Sequence, residues 1–202
     1  QEVVGTTFID DCQWDRSAEW TAKPSPTWDT TNGVIVINDT NEGVYTKNLF
    51  GDGWYSAKFT TLAASEKICM IFLSDVISMA TNTGNKYMVY YNSSKGFVLH
   101  RINAGVSSLA IAASAVTSLP AGSYTLSVLK SGNTFTVYLN GAYLMSGTDN
   151  SPLTAQYGYA AFGVTSTVVT GINISDIQII AASSDATNGI AACIPPIGGG
   201  AR

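Results

Sequence analysis

The chain has 202 residues, a formal net charge of −4, 46% hydrophobic residues and only 12% charged ones. That length suits a single domain that can bury a core without help from a metal or a disulfide, and the composition excludes a disordered chain. Ten Lys and Arg spread thinly exclude a basic nucleic-acid patch, and no apolar run reaches the roughly 18 residues of a membrane span.

Strand signals then recur along the chain, rich in Val, Ile, Tyr, Phe and Thr and bounded by Gly, Asn, Ser or Pro. In order they are Val34–Ile37, Trp54–Thr60, Lys67–Ser74, Tyr87–Asn92, Phe97–Ile102, Tyr124–Lys130, Thr134–Leu139, Ala142–Met145, Tyr157–Val164 and Ile172–Ile180. Leu109–Ala115 reads as a helical turn or an edge strand. Ser131-Gly132-Asn133 turns one strand into the next, and Asn140-Gly141 turns it again with the residues of a type I′ hairpin. The spacing predicts an all-β, two-sheet antiparallel sandwich over residues 1–181, with an antiparallel meander around Asn140-Gly141 and with first and last strands adjacent. Ala182–Arg202 is small, polar and Pro/Gly-rich and forms a separate tail. It is expected to pack in extended form, within a subunit or between subunits, anchored by Ile190, Ile194 and Ile197.

Gln1 in place of an initiator Met reads as a mature, secreted protein after signal-peptide removal. Asn38-Asp39-Thr40, Asn92-Ser93-Ser94 and Asn173-Ile174-Ser175 are acceptor motifs for N-glycosylation, in keeping with an extracellular or cell-surface location. Cys12 lies near the first strand and Cys193 beyond the last, so a Cys12–Cys193 disulfide is expected. Cys69 sits in the apolar run Lys67–Leu73 and reads as a buried free thiol. No Cys-x-x-Cys spacing supports zinc.

Ile9-Asp10-Asp11, then Trp14, Trp20, Trp28, Asn32-Gly33-Val34 and Phe50-Gly51-Asp52-Gly53-Trp54, resemble the opening of concanavalin A-like lectin/glucanase sandwiches. Gly122–Leu126 through Tyr138-Leu139-Asn140-Gly141 is similar to their late meander, and Gly158–Gly163 and Ile174–Ile179 to their last strands. The closest likeness is to laminin-G-like and 3-keto-disaccharide hydrolase-type domains. The resemblance implies a jelly roll of two curved sheets and leaves sugar binder, enzyme and scaffold open. It allows a structural Ca²⁺, as related sandwiches often hold one, although the favoured reading is that no cofactor is bound. Asp11 (or Asp10), Asp52 and Asp176 are the oxygens available, against a competing reading as ordinary turn residues.

Glycoside hydrolysis needs paired carboxylates. The glucanase relatives carry Glu-x-Asp-x-x-Glu on one strand, whereas Glu2, Glu19, Glu42 and Glu66 stand far apart here. A lyase would need a Tyr or His base with a cation, but His100 and Arg101 point to opposite faces of one strand. A sugar platform would instead stack pyranose rings on aromatic faces; Trp54, Tyr90 and His100 are the candidates, in competition with core roles. The leading reading is a secreted, non-catalytic carbohydrate-binding or adhesive protein whose partner is a glycan or cell-surface polysaccharide. Second comes a self-assembling subunit of an extracellular filament or coat, a homo-oligomer or polymer, and third a sugar-active hydrolase or lyase.

Overall fold

The computed structural model describes residues 7–23, 25–165 and 171–182, without the side chains of residues 107–109. Among them the chain runs through β1 (Thr7–Asp10), β2 (Trp20–Lys23), β3 (Thr27–Asp29), β4 (Val34–Ile37), β5 (Gly43–Thr46), β6 (Gly53–Thr61), β7 (Ile68–Ser74) and β8 (Lys86–Asn92). It continues through β9 (Gly96–Asn103), β10 (Val106–Ala113), β11 (Gly122–Ser131), β12 (Thr134–Leu139), β13 (Ala142–Thr148), β14 (Tyr159–Val164) and β15 (Ile172–Ala181). Leu109–Ala115 thus resolves as an edge strand rather than a helical turn. The tail anchors Ile190, Ile194 and Ile197 lie outside the described residues, as does Cys193.

All pairings among the described residues are antiparallel. One sheet has the order β13-β12-β11-β6-β15-β4-β3, with β1 also on β15; the other has the order β10-β9-β8-β7-β14-β5-β2. β15 is the hub of the eight-stranded sheet. It pairs β6 along one side, and on the other it gives Ile172–Ile174 to β4 and Ile177–Ile180 to β1. The adjacency of first and last strands is therefore real. Between those two partners the register with β6 shifts, and Asp176 takes a left-handed φ of 51° in the resulting bulge. The meander forms as β11-β12-β13, and Asn140 and Gly141 both have positive φ, 52° and 78°, as a type I′ turn requires.

Strand alternation decides what lies between the sheets. From β6, Tyr55, Ala57 and Phe59 turn inward while Trp54, Lys58 and Thr60 stay partly exposed. From β8, Tyr87, Val89 and Tyr91 join the shared core, and Met88 and Tyr90 face the other way. Aromatic rings lock the layers edge to face, Tyr55 against Phe72 at 4.8 Å and Phe8 against Trp20 at 4.7 Å. Each such buried side chain contributes about 1.5–3 kcal/mol.

β7 is buried along its whole length because both its faces are covered. Ile68, Met70 and Phe72 enter the shared core. Cys69 and Ile71 enter a second cluster on the outer face of the seven-stranded sheet, with Tyr45, Met79, Met88, Tyr90, Val98, Ile102 and Ala161. The segment from Asp75 to Asn85 closes part of that face. The Lys86 ammonium, itself fully buried, donates to the Ser78 carbonyl at 2.6 Å and to Thr83 Oγ1 at 3.0 Å.

Candidate functional site

A groove of about 920 Å³ opens at one end of the sandwich. Its floor is the Gly51-Asp52 approach to β6, one side is the β11–β12 turn at Gly132 and Asn133, and the other is the segment Pro152–Tyr157. Asp52 is the one acid among its described lining residues. Its Oδ1 accepts from the Lys130 ammonium, and its Oδ2 accepts from the Gly132 N–H at 2.7 Å. Lys130 is nearly buried and also donates to the Gly132 carbonyl at 3.0 Å, whereas the Asp52 side chain keeps 39% of its surface. The carboxylate is therefore held rigid with lone pairs left facing the groove.

Beside it stands Tyr157, 48% exposed. Its ring lies against Gly51, where a Cβ would sit 2.9 Å from the ring and 2.8 Å from the Gln156 carbonyl, so only glycine fits there. The wall that carries Tyr157 is pinned at both ends. Phe50 and Gly158 exchange backbone hydrogen bonds of 2.8 and 3.0 Å. At the far end the buried Asp149 accepts from Arg101 at 2.9 and 3.0 Å, from the Tyr87 hydroxyl at 3.0 Å and from the Ser151 N–H at 2.9 Å; Leu153 N–H in turn bonds the Tyr87 oxygen. Burial pushes the Tyr87 hydroxyl up to about 12, so it stays a protonated donor. A fixed acceptor next to an exposed ring on a rigid wall can bind a hydroxyl-rich ring molecule: hydroxyls donate to the carboxylate and C–H groups lie on the aromatic face.

The three sugar-stacking candidates are not brought together. Trp54 lies on the outer face of the eight-stranded sheet, while Tyr90 and His100 lie on the outer face of the other sheet, their rings 5.4 Å apart and edge to face. Tyr90 is only 9% exposed, within the second apolar cluster. Burial raises the Tyr90 hydroxyl and, with Lys95, lowers the His100 imidazole. As expected, Arg101 turns away from His100, toward Asp149.

The calcium set is likewise not assembled. Asp52 serves the groove, and Asp176 lies farther along β15, in the bulge between the Ser175–Lys58 and Gln178–Ser56 pairs. Asp11 accepts the Gln13 N–H at 3.1 Å. Among the described residues no three His, Cys, Asp or Glu side chains converge. Asp10, not Asp11, is the buried acid: it accepts from Trp20 Nε1 at 2.7 Å and the Cys12 N–H at 2.8 Å. Cys12 is buried with no disulfide among the described residues, and burial with neighbouring Asp10 and Asp176 pushes its thiol up to about 12. Cys69 is a buried free thiol, as read from its apolar strand. Of the acceptor motifs, Asn38 is exposed in a turn, Asn92 Oδ1 accepts from Ser94 N–H and Oγ, and Asn173 stands mid-sheet opposite Val36 and Thr60. Tyr157 and Asn133 were missed as site residues because only the fold brings these two loops to Asp52.

No family model matches the chain, and no curated protein matches its sequence. Solved structures do match. The carbohydrate-binding module CBM66 of Bacillus subtilis aligns over 80% of this chain and 95% of its own, at 16% identity and a TM-score of 0.61. The β-glucanase of Bacillus licheniformis covers 88% of this chain and 99% of its own, at 10% identity and a TM-score of 0.62. A Bacillus subtilis protein of unknown function with a galectin-like fold gives 11% identity, 89% and 98% coverage and a TM-score of 0.67. The chain has the concanavalin A-like fold. In this concanavalin A-like sandwich two of the described Glu side chains are engaged by their neighbours. Glu19 pairs with Arg16, and Glu42 accepts backbone N–H groups of Ser25, Asn38 and Asp39. Glu66 is buried, and Glu2 lies outside the described residues.

Proposed function

We propose that the chain is a secreted, non-catalytic carbohydrate-binding module that takes a sugar unit of a glycan in the end groove. Asp52 accepts its hydroxyls and Tyr157 stacks on its ring. The observation that carries this reading is the rigid, half-exposed carboxylate beside the exposed ring. A carbohydrate-binding module and a β-glucanase among proteins of the same fold support a sugar ligand. A single acid among the described lining residues, already tied to Lys130, supports binding over hydrolysis, which needs a second carboxylate within reach. The exposed Asn38 acceptor motif supports secretion.

Affinity electrophoresis through soluble polysaccharides tests the reading. Asp52→Ala and Tyr157→Ala are each expected to weaken retention by roughly tenfold, the range of a binding hot spot; Tyr157→Ala should leave the melting temperature near native, whereas Asp52→Ala lowers it because the nearly buried Lys130 loses its counter-ion. Native retention by both variants removes the groove from the reading, and release of reducing sugar from a bound polysaccharide replaces binding by hydrolysis.

A further inference from the structure

The outer face of the eight-stranded sheet carries an aromatic cluster that the groove does not use. The Trp54 ring lies 5.6 Å from that of Tyr138, tilted by 45°. Tyr138 pairs across β12–β13 with Tyr143, rings 6.5 Å apart and nearly perpendicular at 85°. Tyr143 is 64% exposed. Cross-strand pairing accounts for Tyr138 touching Tyr143. It does not account for Trp54, whose direct partner on β11 is Leu129, and which reaches Tyr138 diagonally past the Ser56–Ser127 pair. Those two serine hydroxyls bond each other at 2.8 Å, so the middle of the patch satisfies its own polar groups.

The cluster is continuous with the groove. Trp54 follows Asp52 and Gly53 along the chain, and its Cα partner Ile180 precedes Ala181 and Ala182 of the groove lining. From β6 to β13 the rings span three strand spacings, about 14 Å. Resting on the groove as the glycan site, we propose that one glycan chain occupies both places: a unit held at Asp52 and Tyr157, and the units that follow lying over Trp54 toward Tyr138 and Tyr143. The ligand class is then an extended, soluble polysaccharide rather than a lone terminal sugar. Because no two neighbouring rings of the cluster are coplanar, a flexible or twisted chain can meet successive rings, and a flat crystalline surface meets only one.

The test is titration of the full chain with laminarin, barley β-glucan and inulin and with their disaccharide-to-octasaccharide ladders, with microcrystalline cellulose as the flat surface. Affinity is expected to rise with chain length in the native protein and to fail on cellulose. Trp54→Ala, and separately Tyr143→Ala at its exposed position, should lower octasaccharide affinity roughly tenfold and leave disaccharide affinity unchanged, while Asp52→Ala lowers both. Native octasaccharide affinity in Trp54→Ala and Tyr143→Ala, with Asp52→Ala still impaired, overturns the track and leaves the groove standing. Loss of disaccharide affinity in the two aromatic variants overturns it as a separate contact. Absence of binding to every probe by the native protein overturns the groove and the track together.

Discussion

A carboxylate sealed from water needs donors, and Asp10 has two, the Trp20 indole and the Cys12 N–H. Removing it strands both, at about 1–3 kcal/mol for each buried unsatisfied group. Asp10→Ala is therefore expected to lower unfolding free energy in urea by about 2–4 kcal/mol, more than Asp11→Ala, whose carboxylate is exposed. The sequence offers both neighbours but cannot say which one the core takes, because that depends on where Trp20 arrives from β2. Lys86 gives a pH signature. Burial lowers its ammonium to about 8, against an unfolded value near 10.5. Below about pH 8 it is charged in both states and the folded chain carries the full desolvation cost. Between about 8 and 10.5 the unfolded chain binds the extra proton, so this residue adds stability as pH rises. The buried Cys12 and Cys69 thiols, raised by burial, act in the opposite sense above pH 9. The difference between native protein and Lys86→Met, in which those thiols cancel, should therefore grow in favour of the native protein across that window in pH-dependent denaturation. A flat difference rejects the assignment.

At the scale of elements, the seven-stranded sheet depends on two facing glycines. Gly43 of β5 pairs with Gly163 of β14. A Cβ on Gly163 would lie 2.2 Å from the Glu42 carbonyl oxygen and 2.6 Å from the Gly43 Cα, both backbone atoms that cannot swing aside. Gly163→Ala is expected to cost about 1–3 kcal/mol or more, visible as a drop in melting temperature. Gly43 faces the Met79 sulfur, 2.9 Å from where its Cβ would be. In this way the 75–85 segment seats in the furrow between strands. Here lies the limit of what the sequence shows. Val34–Ile37 and Thr134–Leu139 match β4 and β12 to the residue, because alternating β-branched and aromatic residues between turn signals carry their own boundaries. β5, only Gly43–Thr46, has no such run. It is buried on both faces through its neighbours, a tertiary fact. For the same reason part of the outer face of the seven-stranded sheet is filled, with Tyr90 buried among Tyr45, Cys69 and Met88 while His100 stays half-buried. Nothing local in Asp75–Asn85 announces that it folds back over Met88 and Tyr45.

For the whole molecule, topology joins the distant parts of the sequence. β6 sits between β11 and β15, and β14 lies between β5 and β7, so the pairings that join the local hairpins into two sheets wait until most of the chain is made. Refolding is expected in milliseconds to seconds rather than microseconds, measurable by stopped-flow tryptophan fluorescence. The pairing of β1 with β15 has a mechanical consequence. Thr7 stands opposite Ile180 and Asp10 opposite Ile177, so a pull applied through the two ends of the described chain draws apart residues that are already side by side. The ladder then opens one bond at a time, like a zipper, instead of being sheared along its length with all bonds loaded at once. The Phe8 ring, edge-on to Trp20 at 4.7 Å, is the first point at which such a pull meets side-chain resistance, and the Trp20 clamp on Asp10 is the next. A single-molecule stretch should peel the first strand away at low force before the two sheets part, which suits a domain that holds a soluble chain at rest better than a link that transmits tension.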